Sequence, residues 1–236
     1  MSNPLYSPIL SERLSATLEF LKKGQTAAKE YYPEGLRNAA NAYAVLVGPS
    51  YGAYNGCGEK YAGGPNRPIS TWSKRVIGNG LGLRPFPDGS EAREKRWEKL
   101  LLACLGSAEA VNRLSALYNL DWGHFPNQAD VPESNLEQGT GVVVKYLILA
   151  RPKIIVPLTK KVWNHLVPAL IASGAAVIQE NVIPEHQSII IRLKSQDEPF
   201  EFDTLVARPY NHPSRHFLTE KRILDFGRGI SAFIGD

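Results

Sequence analysis

The stretch from Lys153 to Ala175, KIIVPLTKKVWNHLVPALIASGA, leaves few folds open. Lys153 to Leu158 is a short apolar run suited to a buried strand, and Pro157 restricts it to a strand end because proline cannot donate to a ladder. Thr159 then caps a helix that reaches Ala172, and Gly174 ends it. Ala175 to Gln179 opens another strand. A short apolar strand, an amphipathic helix and a second strand, with little between them, is the grammar of a sheet covered by helices.

The same alternation extends through the chain. Tyr43 to Val47 (YAVLV) and Leu114 to Leu120 are further strands, as are Ser188 to Leu193 and Phe202 to Ala207. Helical patterns fall on Ile9 to Lys23, Thr71 to Asn79, Ser90 to Leu105, Leu136 to Ala150 and Thr219 to Ile234, and Arg151-Pro152 closes the fourth of these. Asp197 to Glu201 reads as an acidic turn between two strands. The expected architecture is α/β with a mainly parallel central sheet covered on both faces. Ligands bind such sheets at the carboxyl ends of their strands. Three loops converge there: Gly48 to Ile69, Asp121 to Pro132, and Arg208 to Phe217.

Composition narrows the classes. A chain of 236 residues with 43% hydrophobic residues can bury one sizeable core, so one domain is expected, with 1–40 as a helical extension and 41–236 as the core. The net charge of +4 fits a phosphate-bearing partner without requiring one. Two cysteines, Cys57 and Cys104, are too few for a four-cysteine zinc or iron–sulfur site and suit a reduced, cytoplasmic setting. No run approaches the roughly 18 apolar residues of a membrane span. The opening MSNPLYSPIL lacks the order of a signal peptide. No metal or other cofactor and no membrane partner is expected.

The chemistry concentrates in the loops. Asn211-His212-Pro213-Ser214-Arg215-His216-Phe217 brings two imidazoles, a hydroxyl and a guanidinium to the end of a strand, with Pro213 fixing the backbone between His212 and Ser214. His212 and His216 suit hydrogen-bond donation, general acid work or metal ligation. The metal role lacks neighbours at suitable spacing, and an imidazole aimed at developing negative charge fits better. Ser214 and nearby backbone N–H groups can hold a phosphate. The plainer alternative is a polar loop ahead of a helix, with Thr219 as its N-cap.

In the first loop, Gly48 and Gly52 around Pro49-Ser50-Tyr51 let backbone approach a ligand closely, or simply form a tight turn. No Gly-Lys-Ser/Thr follows, so it is not a P-loop, and no nucleophile elbow surrounds Ser50. Trp97 and Trp163 sit at apolar helical spacing and belong in the core, whereas Trp122, Tyr51 and Tyr54 lie in loops where they can stack on bases. His165 reads as a partly buried structural histidine. Lys160-Lys161 reads as a solvated helix end that can also reach a phosphate.

Four sets of segments, in this order, resemble the uracil-DNA glycosylase superfamily. They are VLVGPSYG (45–52), GGPNRPISTWSKRVIGNGLGL (63–83), ALYNLDWGHFPNQ (116–128) with LILARPKIIVPLTKKVWNHL (147–166), and NHPSRHF (211–217). The second is similar to the Pro-x-Asn-Arg…Trp segment of the mismatch-specific uracil/thymine branch. The resemblance spans most of residues 43 to 235 and implies a three-layer α/β/α fold. It also implies DNA as partner and hydrolysis of the N-glycosidic bond of a deaminated or mismatched, flipped-out base. By that resemblance His212 steadies the departing base anion, Ser214 grips a phosphate, and Arg215 or His216 wedges into the vacated stack. Asn119 reads a base edge, Gly48 and Pro49 line the base site, and Tyr51 or Tyr54 replaces the usual stacking phenylalanine. The family's first loop usually offers Asp, Asn or Glu to orient water. Here it offers Ser50, so a superfamily member that binds nucleic acid or a nucleotide-like ligand without hydrolysis is the alternative expectation.

Overall fold

The computed structural model describes residues 43–49, 51–52, 106, 115–120, 124–125, 130–194, 201–209 and 220–235. Their elements, in chain order, are β1 (Ala44–Gly48), β2 (Tyr51–Gly52), β3 (Ser115–Asn119), β4 (His124–Phe125), α1 (Glu133–Ala150), β5 (Ile154–Pro157), α2 (Lys160–Ala172), β6 (Ala176–Glu180), β7 (Gln187–Lys194), β8 (Glu201–Arg208) and α3 (Glu220–Gly235). The sequence-based helices at 9–23, 71–79 and 90–105 lie outside the described residues.

The main sheet has six strands in the order β3-β1-β5-β8-β7-β6. β3, β1, β5 and β8 are parallel, with Gly48 opposite Asn119, Val47 opposite Pro157 and Ile155 opposite Val206. β7 and β6 are antiparallel additions beside β8. The expected parallel sheet is therefore the β3 to β8 part, and the far side is a meander. The reason is local: β6, β7 and β8 follow one another through short connections, which permit only antiparallel neighbours, whereas a parallel step needs a crossover.

The central strands are buried along their whole length, and alternate residues enter two clusters. Val45, Val47, Ile155 and Val206 pack with Leu136, Val143 and Leu147 of α1 and with Val162, Leu166 and Leu170 of α2. Ala44, Leu46, Ile154, Val156, Leu205 and Ala207 pack with Ile223, Phe226 and Ile230 of α3. The residues named from each helix are three, four or seven apart, the spacing of one helical face, and each strand contributes odd residues to one cluster and even ones to the other, or the reverse.

Local signals set the helix ends. Thr159 caps α2 as expected, its side chain accepting a hydrogen bond from the Val162 N–H at 3.2 Å. Thr159→Ala is expected to cost about 1 kcal/mol, read as a lower denaturant midpoint at unchanged slope. α1 begins at Glu133, three residues before the Leu136 that opens its apolar pattern, because Pro132 supplies a fixed backbone just ahead of it. It ends at Arg151, which takes a left-handed conformation with its N–H donating to Leu147 O at 2.9 Å. Pro152 follows, where the helix can no longer continue.

α1 meets the end of β3 at backbone range. A Cβ at Gly139 would overlap the carbonyl oxygen of Leu120 and stand 2.6 Å from its carbonyl carbon. Leu120 is itself fixed, its N–H donating to Gly48 O at 2.9 Å. Gly139 therefore sets how closely the helix approaches the carboxyl edge of the sheet. Among the described residues no helix is long and apolar enough to cross a membrane.

Candidate functional site at the carboxyl edge

Because β3, β1, β5 and β8 are parallel, their last residues share one edge: Asn119, Gly48, Pro157 and Arg208. The chain goes from β1 to β3 on one side and then returns past β1 to β5 on the other. The order reverses between β1 and β5, the place where open α/β sheets leave a crevice for ligands. Gly48-Pro49 and Leu158-Thr159 flank it. Arg208 ends two strands from Gly48, roughly 10 Å at ordinary strand spacing.

Several residues singled out in the sequence come together here. Gly48 and Asn119 are direct register partners, and the backbone N–H of Leu120 closes the pair onto Gly48 O. Pro49 is buried. Just beyond this edge β2 and β4 form a second, two-stranded parallel ladder, with Tyr51 opposite His124 and Gly52 opposite Phe125. The first and second loops are therefore joined through backbone, not merely adjacent. Ser50, Tyr54, Trp122, His212, Ser214, Arg215 and His216 lie outside the described residues. The segment that carries His212 leaves β8 after Arg208-Pro209 and leads into α3.

The start of α2 differs from the solvated end read from sequence. Lys160 is exposed, but Lys161 is half-buried, its ammonium donating to Val131 O at 3.1 Å and lying 3.4 Å from Glu133. His165, with 15% of its side chain exposed, places Nε2 2.7 Å from the other Glu133 oxygen. Glu133 thus ties the first turn of α1 to the first two turns of α2. Its periodicity gave no hint of this, since the partners are 28 and 32 residues away and only the fold brings them together. Glu133 is 61% exposed, so the pair is well screened and Glu133→Gln is expected to change stability by under about 1 kcal/mol, measured by denaturant unfolding. His165 is partly buried, as its sequence position suggests, and Trp163 packs at the margin of the first core cluster.

His186 was not singled out in the sequence. It is buried in the turn between β6 and β7, and β7 starts with Gln187 opposite Arg208, so this turn lies beside the end of β8. Arg208 Nε donates to Gln187 Oε1 at 2.6 Å, fixing the orientation of the guanidinium at this edge. Burial pushes the His186 imidazole below its ordinary pKa, opposed by the nearby Glu185 and Asp225 carboxylates and helped by Arg222 and Arg208.

The edge thus brings together the backbone of Gly48, the end of the neighbouring strand at Asn119 and a fixed guanidinium at Arg208. Among the described residues no group of three or more His, Cys, Asp or Glu could hold a metal ion. No protein-family model and no curated protein matches this chain.

Proposed function

We propose that the protein is a DNA glycosylase-like enzyme that flips a deaminated or mismatched base out of the duplex and hydrolyses its N-glycosidic bond. The proposed architecture is the three-layer α/β/α fold of the uracil-DNA glycosylase superfamily. The observation that carries the reading is topological. The loop after β1 and the segment after β8, which contains His212-Pro213-Ser214, leave the same sheet edge, two strands apart, on either side of the strand-order reversal.

In this reading the base enters between Gly48-Pro49 and the His212 segment, and Asn119 hydrogen-bonds its edge. As the glycosidic bond lengthens, the sugar gains oxocarbenium character and the base gains negative charge. His212 donates a hydrogen bond to that charge, which lowers the barrier most in a site that excludes water. Ser214 and Arg208 hold flanking phosphates. Arg215 or His216 fills the gap in the stack, and Tyr51 or Tyr54 stacks on the flipped base. Ser50 orients the water.

A second reading has its own support: the first loop carries Ser50 where a carboxylate or amide would position water. A non-hydrolytic member would bind nucleic acid with steep salt dependence and release nothing. The two separate in one experiment, in which binding to a uracil-containing duplex is measured at two salt concentrations alongside formation of abasic sites. Abasic product supports hydrolysis. Salt-dependent binding without product supports the second reading, and neither binding nor product refutes both.

A further inference from the structure

We propose that the turn at 181–186 is an acid-sensitive latch for α3, in which protonation of His186 weakens the docking of that helix on the sheet. The latch has two contacts. The Ile183 side chain lies so close to α3 that a Cβ at Gly229 would stand 2.6 Å from it. The His186 ring meets Phe226 edge-on, with centroids 5.1 Å apart. Ile183, Phe226 and Ile230 belong to one buried cluster. Ser188 holds the turn, its hydroxyl accepting from the Ile183 N–H at 2.7 Å and lying 3.3 Å from His186 O.

His186 is the weak point of this arrangement. It is 7% exposed, and its Nδ1 is buried with no hydrogen-bond partner among the described residues. A neutral ring with Nδ1 as a bare acceptor tolerates this at modest cost, but an imidazolium needs a partner for a second N–H and must leave water to stay there. Among the described residues the charged groups around it are Glu185 in the turn, Arg222 and Asp225 on α3, and Arg208 on β8. The carboxylates favour the cation and the guanidiniums oppose it. Asp225 is already engaged, lying 2.6 Å from Arg228. Desolvation is the largest influence, so the docked ring resists protonation.

The sign follows from linkage. With the docked pKa depressed, neither state carries the proton well above the ordinary imidazole value of about 6.5, and docking has its full strength. As pH falls below that value the undocked state takes up the proton and the docked state does not, so docking weakens until the docked pKa is reached. One proton allows the opening constant of α3 to rise by at most about tenfold per pH unit. This inference does not depend on the proposed function.

The test is amide hydrogen exchange of the full chain between pH 7.5 and 5.0, corrected for intrinsic chemical rates, with α1 as internal reference. Opening of α3 is expected to rise toward the acid end relative to α1, and His186→Phe, which keeps an aromatic edge against Phe226, is expected to abolish the rise. An α3 opening constant that is flat with pH overturns the proposal, as does a variant that keeps the wild-type slope. An NMR titration of the wild-type imidazoles needs no variant. His186 remaining neutral where ordinary imidazoles are half protonated supports the latch, and His186 titrating with them overturns it.

Discussion

Gly139→Ala is expected to destabilise the protein by about 3 kcal/mol or more, the upper range for single overpacking substitutions. The new methyl would meet the backbone carbonyl of Leu120, not the end of a flexible side chain. Neither partner can yield cheaply. Leu120 is held to Gly48 O, and α1 is fixed by Leu136, Val143 and Leu147 in the larger core cluster. Relief requires the helix to move away from the end of β3, opening the core beneath it. Gly141 is the control. It lies two residues along the same helix with nothing among the described residues within 4 Å of a Cβ. Alanine there removes the flexibility cost of a helical glycine and is expected to stabilise by about 0.5–1 kcal/mol. Parallel urea unfolding of the two variants checks both, and equal midpoints would contradict the close approach of α1 to Leu120.

The second large effect concerns chemistry. If the protein releases bases as proposed, His212→Ala is expected to lower the single-turnover rate by about a hundred- to a thousandfold, the usual effect of removing one preorganised donor to a developing anion. Duplex affinity should change much less, because phosphate contacts dominate binding. Ser214→Ala is expected to act in the opposite sense, weakening binding more than the chemical step. Rates measured with enzyme in excess over a labelled duplex separate the two quantities. A His212→Ala variant with the wild-type rate would remove His212 from the mechanism.

The parallel half of the fold was legible because each element carries its own signal. KIIVPL is apolar on successive residues, as a strand buried on two sides must be, and Thr159 and Gly174 mark both ends of α2. Phe202 to Ala207 is a strand whose last three residues, Leu205-Val206-Ala207, meet the same criterion, and its end fixes where the His212 segment departs. What was not legible depends on pairing. The antiparallel placement of β6 and β7 follows from connection length and from which edge of β8 is free, not from the apolar pattern of either strand. β2 and β4 have two residues each, too short for any periodicity to register. Gly139 and Gly141 look alike in sequence, and only the approach of Leu120 distinguishes them. Glu133 lies ahead of the helix that the apolar pattern opens at Leu136, and nothing marks it until Lys161 and His165 arrive from another helix. His186 precedes the apolar pattern of β7 and follows that of β6, so neither repeat accounts for it.

The candidate site divides in the same way. Gly48 and Asn119 could be placed near one sheet edge from sequence, but strands read as 43–47 and 114–120 left their pairing open, and the register places them opposite each other. Lys161 could not be assigned, because a basic residue at a helix start looks the same whether it is solvated or, as here, bonded to Val131 O and beside Glu133.

The most direct test of the central claim is a single-turnover assay of the full chain on duplexes carrying uracil, hypoxanthine, xanthine or a G·T mismatch, each scored for alkali-labile abasic sites. The account predicts abasic product from at least one of them, lost in His212→Ala. No abasic product from any of the four would contradict it.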